Sequence, residues 1–136
     1  MLDKLRAAVR PYALLPIRFG VGLALMVQGW LHATGPAGLT RSMQRVDLPM
    51  AEPLTWVVVG IELLGGLLVL LGFQTRIAAA VLVTWLAVDC FVIHLRNGWF
   101  ADQGGFQVPL LLLLGVLSLW LGGAGRASVD SFRGRA

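Results

Sequence analysis

Six polar side chains lie within or at the ends of long apolar runs of this sequence, where a polar group is costly. Ionisable side chains in such segments usually face the interior of a helix bundle, where they pair with each other or line a pathway. We therefore take them as the candidate functional residues, although the sequence assigns a catalytic role to none of them. They are Arg18, Gln28, His32, Glu62, Asp89 and His94.

Two of these residues are acids that fall in the same half of their predicted helices. Glu62 lies nine residues after Pro53, which corresponds to a depth of roughly 13 Å along a helix. Asp89 lies six residues before Leu95, which corresponds to a depth of roughly 9 Å. Both acids are therefore predicted in the outer half of the bundle.

The amide and the two histidines are predicted at the same level. Gln28 and His32 are four residues apart and share a helix face near the end of the first apolar run, and His94 ends the third run. These spacings predict a pocket that opens toward the outer leaflet. Its predicted lining is Gln28, His32, Glu62, Asp89 and His94, with Trp30 and Trp85 as walls.

Two acids and two histidines suit proton transfer, or hydrogen bonding around the carbonyl groups of a quinone. We expect Glu62 to face the bundle interior and to meet Arg18 or Asp89. A structural interpretation stays open for each residue: Glu62 as a buried ion pair or a protonated, hydrogen-bonded acid, Asp89 as a helix–helix hydrogen bond, and His32 and His94 as water-facing interfacial residues. No metal site is predicted, because the spacing matches no compact ligand motif.

Two arginines are predicted at the opposite end of the bundle. Arg18 lies near the start of the first apolar run and Arg76 follows the second. The long side chain of Arg18 either extends to the membrane interface or reaches inward toward Glu62. We therefore assign Arg18 and Arg76 structural or ion-pairing roles.

The apolar runs themselves predict the fold. Of the 136 residues, 57% are hydrophobic and 13% are charged, against about 45–50% and about 25% in soluble domains. A spanning helix needs roughly 20 apolar residues, so four of them use most of the chain. We predict an all-α, four-transmembrane-helix bundle that forms a single membrane domain over residues 1–136, with spans at 13–33, 53–72, 76–95 and 106–122.

The basic residues predict the orientation in the membrane. The net charge is +4, but the Lys and Arg residues flank the apolar runs rather than forming a patch for nucleic acid. Eight of them fall on one side of the predicted bundle and three on the other. The positive-inside rule then places both termini in the cytoplasm. We expect a multi-pass protein of a bacterial-type cytoplasmic (inner) membrane.

The first outer loop carries an amphipathic pattern. Leu39, Met43 and Val46 recur at i, i+4 and i+7 with polar residues between them. This spacing predicts a short helix on the membrane surface or over the mouth of the bundle. A disordered connection is the alternative.

Four segments together resemble the DoxX family of small four-helix membrane proteins. They are GIELLGGLLVLLGFQTRIAA (60–79), HLRNGWF (94–100), FQVPLLLLL (106–114) and GRASVDS (125–131). Two positions depart from the family pattern. Gln28-Gly29 and His32 stand where the family often has His-Gly and a lysine, and Gln107 stands where it often has an acid.

The resemblance implies a redox-associated membrane protein, because the family name derives from a subunit of a thiosulfate:quinone oxidoreductase. The resemblance does not identify a substrate. With the polar cluster, it leads us to expect a quinone as ligand and a membrane or periplasmic redox partner for a protein held in the lipid bilayer, and it leaves homo-oligomerisation open. The alternatives are a small-molecule carrier or channel and a purely structural membrane partner. A self-sufficient thiol oxidoreductase is excluded, because Cys90 is the only cysteine.

Overall fold

The computed structural model describes residues 1–134. The regular elements in that range are helical, which confirms the predicted all-α class for the described residues. A π-helical turn at Asp89–His94 continues the fifth helix, and short 3₁₀ turns occur at Arg10–Tyr12, Leu95–Asn97 and Ala101–Gln103. The α-helices are α1 (Leu2–Val9), α2 (Leu15–Thr34), α3 (Pro36–Arg45), α4 (Ala51–Leu71), α5 (Thr75–Val88), α6 (Gln107–Gly122) and α7 (Val129–Phe132).

Three continuous helical stretches are long and apolar enough to cross a membrane. They are Leu2–Thr34 with 33 residues, Ala51–Leu71 with 21 and Thr75–Asn97 with 23. The fourth predicted span coincides with α6, which has 16 residues. It is therefore apolar but shorter than the roughly 20 residues of a typical spanning helix.

The bundle buries one apolar face of each long helix and exposes another. Leu25, Val58, Leu82, Leu86 and Leu119 lie in a common core and are at most 1% exposed. On the outside, more than half of the surface of each of the following side chains is exposed: Phe19, Leu23, Leu64, Ile77, Leu111 and Leu121. Large exposed apolar surfaces are rare on soluble monomers, and this one suits contact with acyl chains.

The predicted amphipathic helix is present as α3. Leu39 and Met43 are buried on its inner face, and the Thr40 and Thr55 hydroxyls hydrogen-bond at 2.8 Å between α3 and α4. The segment is therefore an ordered helix held against the end of α4, and the alternative of a disordered connection is wrong.

The sequence predicts structural or ion-pairing roles for Arg18 and Arg76, at the end of the bundle opposite the polar cluster. The Arg18 guanidinium donates from Nη1 to the Ala124 carbonyl at 2.8 Å and from Nη2 to the Ala127 carbonyl at 2.6 Å. Arg76 is exposed, and within residues 1–134 neither arginine is in ion-pairing distance of an acid. Arg18 instead ties α2 to the carboxy-terminal segment.

Asp130 provides a second tie at this end. Its two carboxylate oxygens accept hydrogen bonds from the backbone N–H groups of Gln74 at 2.8 Å and Thr75 at 2.9 Å. Helix starts leave N–H groups without intrahelical partners, and here a carboxylate distant in sequence satisfies two of them. The Asp130 backbone also donates to the Gly72 carbonyl. The carboxy-terminal segment thus closes the end of the bundle remote from α3.

Candidate functional site

Glu62 occupies the centre of the candidate site and is fully buried. Its Oε1 accepts hydrogen bonds from Gln28 Nε2 at 3.3 Å and from Trp85 Nε1 at 3.2 Å. Its Oε2 lies 2.7 Å from His32 Nδ1. One carboxylate from α4 therefore gathers two side chains from α2 and one from α5.

The interior position expected for Glu62 is confirmed, but its expected partners, Arg18 or Asp89, are wrong. Arg18 precedes Gln28 by ten residues on α2, a separation of roughly 15 Å along the helix axis. It is therefore Gln28 and His32, one turn apart, that reach the level of Glu62.

The approach of α2 to α4 at this level depends on Gly29. A Cβ atom at Gly29 would lie 2.9 Å from Leu63 Cγ and 3.0 Å from both the Leu63 backbone nitrogen and Glu62 Cβ. Because these distances are well inside ordinary van der Waals contact, a larger residue would push the helices apart. The Gln28 and His32 side chains, which flank Gly29, would then be drawn away from Glu62.

Asp89 and His94 form a second acid–histidine pair. His94 Nδ1 lies 3.0 Å from Asp89 Oδ1 and 2.9 Å from the Asp89 carbonyl oxygen. Residues five apart on an α-helix point about 140° apart. The Asp89–His94 segment is π-helical, and this wider turn brings residue i+5 above residue i. The local helix type therefore creates the pair.

Both pairs lie at a cavity of about 410 Å³ at the end of the bundle covered by α3. This volume lies within the range of about 300–1,000 Å³ typical of small-molecule sites. Gln28, His32, Asp89 and His94 line the cavity, while Glu62 lies behind Gln28 and His32. The remaining lining residues are Gly35, Gly38, Leu39, Ser42, Ala101, Gly104, Gly105, Val108 and Pro109.

The two tryptophans do not have the predicted place as cavity walls. Trp30 is 64% exposed on the outside of α2 and does not line the cavity. Trp85 is buried and does not line the cavity, and its indole N–H donates a hydrogen bond to Glu62. Trp85 therefore orients the acid, and Trp30 belongs to the outer surface.

The sequence prediction missed the loop that forms one side of the cavity. Ala101, Gly104 and Gly105 line it from the turn between α5 and α6. Asn97 holds this loop by donating from its side chain to the Gly104 carbonyl at 3.0 Å. The glycine pair is the sequence signal for this loop, because Gly104 has a positive φ of 73° and a Cβ at Gly105 would clash with the Gly98 carbonyl oxygen.

One polar atom of the site is left without a partner. Asp89 Oδ2 is buried and has no hydrogen bond among the described residues, and the Asp89 side chain is only 3% exposed. An unsatisfied buried acceptor costs free energy, so a donor supplied from the cavity would stabilise this arrangement. Within residues 1–134, no three His, Cys, Asp or Glu side chains are grouped as metal ligands.

Comparisons with known proteins identify the family of this chain. The chain is similar to the inner membrane protein YqjF of Escherichia coli, with 30% identity over 118 residues that cover 86% of this chain and 84% of the relative. Two uncharacterised proteins of Haemophilus influenzae are 27% and 30% identical over 123 and 126 residues, covering 88% and 90% of this chain and 82% and 91% of the relatives. No solved structure matches significantly. The DoxX family model matches residues 13–95, so this chain is a membrane protein that belongs to the DoxX family.

Proposed function

We propose that the chain crosses the inner membrane four times, with α6 as the fourth span and both termini in the cytoplasm. The basic residues support this orientation, because eight of eleven lie on the side of the termini. The 16 residues of α6 are roughly 24 Å long, and a bilayer adapts to a short span by local thinning. The cavity beneath α3 then faces the periplasm.

We further propose that the cavity binds the head group of a quinone-type redox lipid. The protein would act as the quinone-binding or anchoring subunit of a membrane redox complex. The observation that carries this proposal is the convergence of two acid–histidine pairs, Glu62–His32 and Asp89–His94, on one cavity of about 410 Å³. Such a site offers hydrogen-bonding and proton-accepting groups to the ring of a quinone, and its volume is typical of small-molecule sites.

The closed end of the bundle favours a binding site over a channel. Arg18 and Asp130 attach the carboxy-terminal segment across the end remote from the cavity. A carrier needs polar groups along a continuous path, whereas Val69, Leu82 and Val116 fill the described core with aliphatic side chains. The proposal is therefore a pocket that is accessible from one side.

The test is a titration of the purified full-length protein in mild detergent with a short-chain benzoquinone, followed by tryptophan quenching. Glu62→Gln and Asp89→Asn should each weaken binding about tenfold, because each alters a charged hydrogen-bonding partner. Glu52→Gln is the matched control, because Glu52 is an exposed acid on α4 outside this cavity. Equal affinity in all variants, or no binding by the wild type, would leave the acid–histidine pairs as structural contacts.

A further inference from the structure

Most of the side-chain polar groups that the described part of the protein leaves without a partner at the cavity are hydrogen-bond acceptors. His94 shows this most directly, because its Nδ1 faces two oxygens of Asp89, the backbone carbonyl and Oδ1. A carbonyl oxygen can only accept, so Nδ1 carries the hydrogen. In the neutral ring, Nε2 is then an acceptor.

An ionised Glu62 carboxylate accepts from Gln28 Nε2 and from Nδ1 of His32. With Glu62 in that form, the amide oxygen of Gln28 and, in the neutral ring, Nε2 of His32 are left as acceptors, while the second hydrogen of Gln28 Nε2 is left as a donor. The Ser42 hydroxyl donates to the Gly38 carbonyl at 3.1 Å, so its lone pairs are also left over.

Asp89 adds an acceptor that the protein itself does not satisfy. Asp89 is one of the residues that line the cavity, and its Oδ2 is buried and without a hydrogen-bond donor among the described residues. This atom is independent of the histidine geometry, because His94 bonds to the other carboxylate oxygen. A ligand that brings an O–H group would satisfy it.

We infer that the cavity is selective for the reduced form of its ligand, a quinol with two hydroxyl groups, over the oxidised quinone. This inference rests on the proposed function. The carbonyl oxygens of a quinone are acceptors and would face the acceptors of Asp89, Gln28 and the histidines. The hydroxyl groups of a quinol are donors and match them.

The test compares three probes built on the same tetramethyl-substituted ring on the wild-type protein: duroquinone, duroquinol and the dimethyl ether of duroquinol. Affinities are measured by isothermal titration calorimetry in detergent under argon. We expect duroquinol to bind at least about tenfold more tightly than either donor-free probe, since each unsatisfied buried acceptor is worth roughly a factor of ten. Asp89→Asn should reduce this preference, whereas Glu52→Gln should retain it.

The outcomes separate the inference from the proposed function. Equal affinity for duroquinone and duroquinol, or tight binding of the dimethyl ether, would overturn the selectivity while the cavity remained a quinone-type site. Failure of all three probes to bind would overturn both. Because the wild-type comparison needs no substitution, the result does not depend on whether a variant folds.

Discussion

Replacing Gly29 by alanine should separate α2 from α4 at the level of the site. The new Cβ would lie 2.9 Å from Leu63 Cγ and 3.0 Å from the Leu63 backbone nitrogen. The backbone nitrogen cannot rotate away, so the helices must move. Overpacking of this kind costs about 1–3 kcal/mol. The Gln28–Glu62 hydrogen bond, already 3.3 Å long, should break first.

Gly20→Ala is the matched control. Gly20 lies on the same helix as Gly29, and a Cβ at Gly20 would meet no atom within 4 Å. Both substitutions gain about 1 kcal/mol of helix propensity, so that gain cancels when the two variants are compared. We expect Gly29→Ala to be less stable than Gly20→Ala by about 1–3 kcal/mol in equilibrium unfolding in detergent. Equal stability of the two variants would refute the close α2–α4 approach.

Three further predictions test other parts of the structure. Cysteine at Gln44 should react with an impermeant maleimide in intact cells and cysteine at Phe132 should not; labelling of Phe132→Cys alone would reverse the proposed topology. Asp130→Asn should lower the free energy of unfolding by about 1–3 kcal/mol, because one of the two N–H groups at the start of α5 loses its acceptor; unchanged stability would contradict this tie. Trp85→Phe should lower the free energy of unfolding by about 1.5–3 kcal/mol, because the buried Glu62 carboxylate loses a donor. Trp30→Phe should have little effect, and equal effects of the two changes would argue against the Trp85–Glu62 hydrogen bond.

Helix positions were largely predictable because hydropathy and chain breakers act locally. The span predicted at 53–72 is α4 at Ala51–Leu71, and the span predicted at 13–33 is α2 at Leu15–Thr34. The start of α4 lies two residues earlier than predicted, since a proline is tolerated in the first turn of a helix. The amphipathic period of α3 was likewise sufficient to predict a helix.

The partners of the site residues could not be predicted from the sequence, because they depend on how the helices rotate and approach. The interior position of Glu62 could be predicted because an ionisable side chain that faces hydrocarbon costs free energy. Its contacts with Gln28, His32 and Trp85, however, follow from the packing of α2, α4 and α5. The Asp89–His94 pair needs a π-helical turn, which has no periodic signal in hydropathy. The contacts of Arg18 needed the long-range fold of the carboxy-terminal segment.

The most direct test of the proposed site is photo-crosslinking of the full-length protein with a short-chain azidoquinone, followed by mass spectrometry of the labelled peptides. We expect label on the two segments that enclose the cavity, residues 35–42 and 101–109, and loss of that label when duroquinol is present in excess. An apolar groove of about 330 Å³ between α4 and α5, lined by Val57, Leu64 and Val81 among others, offers a different place for a quinone. Label confined to that groove, and insensitive to Asp89→Asn, would contradict the assignment of the cavity as the binding site.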